Sequence, residues 1–229
     1  MSAPAPPQPA PRKLLIQMSG APGSGKSTLA RLLARSLQHA VVIDHDVLRS
    51  TLLGPASPSP SASTTSPTTT ATASSTASPS LPFEQAAQLS YALQFSLAAS
   101  FLTQGAPSII LDSTCAFQET LTQGRALAAR FGCAYWYVEC ALQVQDLPLL
   151  DARLRGREGL RSQRTGVEGA PAAAAVGEEK EGGAGKGGGR ELFESWIRNP
   201  CRPDENAIVV DAKGEPEALG DYVLKRILG

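Results

Sequence analysis

The chain has 229 residues, and its 21 Lys and Arg are balanced by 21 Asp and Glu, for a formal charge of zero. That balance supplies no general field for nucleic acid, so any polyanion has to be held locally. A hydrophobic fraction of 42% suits one globular domain, and long stretches poor in core-forming residues argue against a second.

Residues 1–12 are proline-rich and carry no apolar segment, which predicts a disordered tail rather than a secretory signal. The run Leu14-Leu15-Ile16-Gln17-Met18 predicts a strand, and it leads into Gly20-Ala21-Pro22-Gly23-Ser24-Gly25-Lys26-Ser27 and Thr28. A helix follows over 25–38, with Leu29, Leu32, Leu33 and Leu37 on one stripe. Strand, glycine loop and helix in this order form a phosphate cradle. Successive backbone amides must face one pocket, and side chains at Gly20 and Gly25 would obstruct it. The helix start adds orphan amides and the positive end of its dipole. The loop from Gly20 to Thr28 is therefore expected to bind ATP or GTP, with Lys26 reaching the β and γ phosphates and Ser27 ligating Mg2+.

Ala40-Val41-Val42-Ile43 predicts a second buried strand, with Asp44-His45-Asp46-Val47-Leu48-Arg49 at its carboxyl end, where open α/β sheets place ligands. Residues 54–82 contain only Gly, Pro, Ala, Ser, Thr and Leu, which predicts a disordered insert or a Ser/Thr-rich modification segment. A helix is predicted over 84–104. The absence of charge from Gln85 to Leu111 invites a membrane reading, but four glutamines punctuate the segment and the apolar portion falls short of the roughly 20 residues a span needs. Leu89, Leu93, Leu97 and Phe101 at i+4 spacing predict its core-facing stripe instead.

Ser108 to Asp112 reads as a third strand ending in a carboxylate, a Walker B-like pattern. Phe117 to Phe131 predicts a helix stopped by Gly132, Ala134 to Cys140 a strand, and Val144 to Arg155 a helix. Residues 166–190, rich in Ala, Gly, Glu and Lys, predict a second disordered insert. Ala207 to Asp211 is a fifth strand, and Glu217 to Leu228 a closing helix with Leu219, Val223 and Ile227 on one face. The alternation predicts a three-layer αβα fold around a five-stranded parallel sheet, within a domain over 13–229.

A phosphate cradle alone does not separate a kinase from a GTPase or a motor. No Asn-Lys-x-Asp run marks a guanine-specific GTPase, and no Leu-Ser-Gly-Gly run marks a transporter ATPase. Asp46 stands at a strand end beside the expected γ-phosphate, with Arg49 one helical turn on. Asp46 could accept the proton of an attacking hydroxyl while Arg49 holds an anionic part of the acceptor; Asp46 could also serve as a helix N-cap. Asp44 could orient His45 or a magnesium water. Asp112 is suited to hold Mg2+ through water, or to start a turn. Five arginines fall between Asp151 and Arg164, and Arg153, Arg157 and Arg161 share a face if their helix continues past Gly156. They read either as a solvated face or as a lid closing over ATP. Cys115, Cys133, Cys140 and Cys201 form no C-x-x-C pair and fit buried thiols in a reducing, cytoplasmic setting.

Taken together, Gly20 to Ser27, Ile43 to Arg49, Leu111-Asp112-Ser113, the Arg153 and Arg157 pair and Val209-Val210-Asp211 resemble the P-loop kinase group that contains zeta toxins and polynucleotide 5′-hydroxyl kinases. The resemblance spans most of 13–229 outside the two inserts. It implies a catalytic base at Asp46, an acceptor clamp at Arg49 and lid arginines at Arg153 and Arg157, but it does not carry a substrate. The expected function is transfer of the γ-phosphate of ATP, with Mg2+, to a hydroxyl of a small molecule, a nucleotide or a polynucleotide end. The second reading is a regulatory ATP-binding module with no phosphoryl acceptor. No membrane or protein partner is evident from the residues.

Overall fold

The structure, a computed structural model, describes residues 13–54, 81–171, 173 and 189–229. The proline-rich tail and most of both low-complexity stretches lie outside the described residues.

Five strands, β1 (Leu14–Ser19), β2 (Ala40–Asp44), β3 (Ser108–Asp112), β4 (Ala134–Ala141) and β5 (Ala207–Asp211), form one sheet in the order β2-β3-β1-β4-β5. All four pairings are parallel. The connections are α1 (Lys26–Ser36), α2 (His45–Leu52), α3 (Phe83–Thr103), α4 (Gln118–Phe131), a 3-10 turn at Val144–Asp146 leading into α5 (Leu147–Arg155), α6 (Gly189–Arg198) and α7 (Pro216–Leu228). This is the expected three-layer fold.

Side-chain alternation along the strands builds the layers. Leu14, Ile16 and Met18 face α1 and α7, where they pack with Leu29, Leu33, Val223 and Ile227. Leu15, with Ile109 and Leu111 of β3, faces α3 and α4, against Ala98, Leu102, Leu127 and Ala128. A third cluster joins Ala21 of the phosphate loop to Leu147, Leu150 and Leu154 of α5 and Phe193 of α6. The loop is thus seated on packed helices.

Three local expectations are corrected. The buried stripe of α3 is Ala86, Ser90, Gln94, Ala98 and Leu102, one column away from the leucines, and Leu89 and Leu93 are each 39% exposed. Polar bonding sets that rotation: Gln94 Nε2 donates to the Ile43 and Asp112 carbonyls at 2.7 and 3.2 Å, bracing the ends of β2 and β3. The second insert does not begin at Gly166, because Val167 is buried and its N–H donates to Asp151 Oδ1 at 2.7 Å. Helix α6, not expected from the sequence, docks through Phe193. Among the described residues, no helix is long and apolar enough to cross a membrane.

Gln17, on the central strand, is fully buried. It donates to Cys115 Sγ and the Thr120 carbonyl and accepts from the Tyr135 hydroxyl. Gly124 of α4 packs directly over it, so a methyl group there would collide with Gln17 Oε1. An exposed helical Gly→Ala change gains about 1 kcal/mol. Gly124→Ala should instead lose about 1–3 kcal/mol by overpacking and breaking a buried polar network. Urea unfolding of the variant checks the sign.

Candidate functional site

The phosphate loop joins β1 to α1 at the carboxyl edge of the sheet. Gly20 has φ +130°, and a Cβ on it would lie 2.5 Å from the Cys140 carbonyl oxygen, so only glycine fits against β4. Gly25, at φ +92°, is the N-cap of α1, and its left-handed backbone turns the chain into the helix. Lys26 is 8% exposed and its Nζ donates to the Ala21 carbonyl at 3.1 Å. Pro22, Gly23, Ser24, Gly25, Lys26, Ser27 and Thr28 line a large cleft. Gly20 and Ala21 stand behind it, and Ala21 belongs to the third core cluster.

Asp112 closes the far side of the loop, at the end of β3 beside Asp44 of β2. Three buried polar atoms here, Ser24 Oγ, Asp112 Oδ2 and Ser113 Oγ, have no hydrogen-bond partner among the described residues. Buried polar groups are seldom left unbonded, and such a cluster beside an amide cradle suits phosphate oxygens and a hydrated cation. Burial pushes the Asp112 carboxyl up to about 6, with Asp44 and Asp46 adding to the rise and Lys26 and the Ser27 hydroxyl opposing it. Among the described residues, no group of three or more His, Cys, Asp or Glu could hold a metal alone. A divalent ion would need Ser27, Asp112 and ligand oxygens together.

Across the cleft, α2 carries the second set of groups. Asp44, and not Asp46, is the N-cap: its Oδ1 accepts from the backbone N–H of Asp46 at 2.8 Å and of Val47 at 3.3 Å. Asp44 is therefore committed to the helix, and the Asp46 carboxylate is free for side-chain partners. Arg49 donates to Asp46 Oδ1 at 2.7 Å, one turn apart as the spacing predicts. Burial opposes the Asp46 charge, but His45, Arg49, Gln163 and Lys26 outweigh it, holding the carboxyl well below the usual range. His45 is buried, bonded to Ser90 Oγ at 2.7 Å and stacked on Tyr91, as a structural histidine.

Ser162 and Gln163 went unread in the sequence. Gln163 Nε2 donates to Asp46 Oδ2 at 2.9 Å, and Arg49 donates to the Ser162 carbonyl at 2.9 Å. Ser162 Oγ donates to the Asp46 carbonyl and lies 2.8 Å from Ser50 Oγ. These two residues stitch the loop after α5 onto α2. No local motif announces such a contact, which links positions 112 or more residues apart.

The arginines converge, but not as one helical face. Helix α5 stops at Arg155 with Gly156 as its C-cap, so Arg157 and Arg161 sit on the following loop. Each is held by carbonyls: Arg153 donates to Ala212, Arg157 to Arg164, and Arg161 to Leu53 and Gly54. All three still line the cleft. Burial lowers the pKa of Arg157 against the pull of Asp46 and Asp44, and its Nε has no partner among the described residues. Burial pushes the Cys115 and Cys140 thiols up to about 12, as suits buried thiols.

Because Asp112 titrates above the ordinary 3.8 in the folded chain, folding takes up a proton between these values. Its charge therefore weakens the ligand-free fold above a pH of about 6, and that cost fades as pH falls toward 4. Asp112→Asn should raise the melting temperature in chelator at a pH of about 8 and raise it less at about 5. Thermal scans at the two pH values test this; a variant that melts lower at both contradicts it.

A protein of Chloroflexus aurantiacus provisionally described as a kinase shares this fold with TM-score 0.59 and 16% identity, over 96% of this chain and 98% of that one. A sugar kinase from Janibacter aligns with TM-score 0.53 and 16% identity over 95% of both chains. The APS kinase of Mycobacterium tuberculosis, solved with AMPPNP and APS, aligns with TM-score 0.51 and 20% identity over 96% and 99%. At such identities the likeness is one of fold. None of the curated proteins is similar enough in sequence to count as a match. The profile of the AAA domain family matches residues 15–174, well over half of the chain, and the chain belongs to that family.

Proposed function

We propose that the chain is an Mg2+-ATP-dependent kinase that transfers the γ-phosphoryl group to a hydroxyl of a small-molecule or nucleotide-type acceptor. One observation carries the reading: the phosphate loop and the Asp46–Arg49 pair face one cleft of about 2320 Å³. A pocket for a single small ligand measures about 300–1,000 Å³, so this cleft is large enough for a nucleotide and an acceptor side by side. A regulatory module without an acceptor would have no use for a partly buried carboxylate braced by Arg49 and Gln163.

On this reading the loop amides from Gly20 to Thr28 cradle the phosphates, and Lys26 leaves the Ala21 carbonyl to reach the β and γ oxygens. Ser27 and, through water, Asp112 would hold Mg2+, which neutralises charge on the transferring group. The unpartnered Asp112 Oδ2 suits that task. Asp46 orients the acceptor hydroxyl and takes its proton, Arg49 holds an anionic group of the acceptor, and Arg153 and Arg157 supply positive charge from the lid side. The acceptor oxygen bonds to the γ phosphorus as the bond to the bridging oxygen breaks, releasing ADP. A carboxylate held so far below neutrality is a weak base. A loose phosphoryl-transfer transition state asks mainly for orientation, which the pinned Asp46 supplies. The finer likeness to zeta toxins or polynucleotide kinases rests on the sequence motifs named above.

Asp46→Asn should keep ATP affinity and cut transfer by about 10²–10⁴. Transfer of labelled γ-phosphate to a panel of metabolites and oligonucleotides, beside a direct ATP titration, measures both. Normal transfer by the variant would remove Asp46 from the chemistry. Lys26→Ala, in contrast, should weaken ATP binding itself, and an unchanged dissociation constant would contradict its assigned role.

A further inference from the structure

We infer that the acceptor carries a flat heteroaromatic ring that stacks on Phe117, as the base of a nucleoside 5′-monophosphate would. The inference rests on the kinase reading and narrows its acceptor. Aromatic residues make up only 5% of the chain, yet Phe83, Tyr91 and Phe117 all line the cleft on the Asp46 side. Each makes a contact there: the Arg49 guanidinium lies 5.1 Å over Phe83, Tyr91 stacks on His45 at 4.0 Å, and Phe117 meets Tyr91 edge-on at 6.3 Å.

Phe117 is the unusual member. It is 60% exposed, the sole phenylalanine among the exposed large apolar side chains. Its backbone is not loose. Cys115, two residues before, holds a left-handed φ of +46°, and the Phe117 carbonyl accepts from Thr120 and Leu121 to start α4. The ring is therefore presented by a fixed backbone into the cleft while forgoing burial of its own. Scattered apolar side chains on a surface need no reason, but an exposed ring that lines the cleft and meets Tyr91 edge-on offers a face on which a planar group can stack.

The anionic part of the acceptor follows from the arginines. Arg49 Nε and Arg157 Nε are buried without a partner among the described residues, and both side chains line the cleft. Transfer to such an acceptor keeps the balance already given: one of its hydroxyl oxygens bonds to the γ phosphorus, its proton passes to Asp46 and then to solvent, and ADP leaves.

The test uses the full chain saturated with AMPPNP and Mg2+, titrated with AMP, GMP, CMP, UMP and ribose 5-phosphate, which keeps sugar and phosphate but lacks the ring. At least one monophosphate should bind about tenfold tighter than ribose 5-phosphate, Phe117→Ala should erase that preference, and Phe117→Trp should restore it. Equal binding, equally absent binding, or a ring preference that survives Phe117→Ala overturns the inference. Labelled transfer from ATP separates it from the parent reading. Ring-dependent binding with no labelled product to any acceptor leaves the subsite standing and removes the kinase; labelling of ribose 5-phosphate as efficient as that of the monophosphates does the reverse.

Discussion

The electrostatics of the parallel sheet's carboxyl edge govern this molecule. Strands β2 and β3 end side by side, and their ends carry Asp44, Asp112 and, two residues further, Asp46, close to the buried side chain of Lys26. Asp112 is ionised only at a cost, because burial opposes its charge more than Lys26 supports it. A chain selected for stability alone would replace that carboxylate. One oxygen of that carboxylate has no partner among the described residues, an arrangement that suits a bound cation or its water better than another side chain.

Apolar packing, a close backbone contact and a few polar side chains hold this edge in place. The phosphate loop cannot retreat, since Gly20 already touches the Cys140 carbonyl and Ala21 is packed against α5 and α6. Gln94 ties the ends of β2 and β3 together from the other face. The loop after α5 then crosses to α2 through Ser162 and Gln163. A shift of that loop changes the partners of Asp46 and Arg49 in the same motion, so the loop after α5 and helix α2 form one mechanical unit.

Much of this was legible in sequence because it is local. The Gly20 to Ser27 run, the apolar strands and the one-turn spacing of Asp46 and Arg49 each express a geometry set within a few residues. What was missed depends on tertiary choice. Leu89 and Leu93 make the stronger hydrophobic column of α3, yet the helix turns Gln94 inward because two strand-end carbonyls need a donor there. Gly156 ends α5, and the arginines after it reach the cleft through a loop whose carbonyl contacts no periodicity encodes. The sequence of α6 does hold a signal, with Phe193, Trp196 and Ile197 on one face and Arg190, Glu194 and Arg198 paired at i+4. The adjoining glycine run masks it.

The bracing of Asp46 bears on how a kinase of this build would tell an acceptor from water. An ionised carboxylate offers about four lone-pair sites. Arg49 takes one on Oδ1 and Gln163 one on Oδ2, while His45 Nδ1, at 3.8 Å, is too distant for a hydrogen bond. The sites that remain point in directions fixed by those two donors, so a hydroxyl is accepted along a narrow set of approaches. Water meets the same geometry without further cost, and the carboxylate alone cannot reject it. Discrimination then has to come from what surrounds the pair. Phe83, Tyr91 and Phe117 supply apolar wall there, which a ring-bearing acceptor covers and a water molecule does not. In a kinase of this build the orienting pair would stand on α2 and the apolar wall on α3 and at the N-cap of α4, so an acceptor would have to engage both to complete the site.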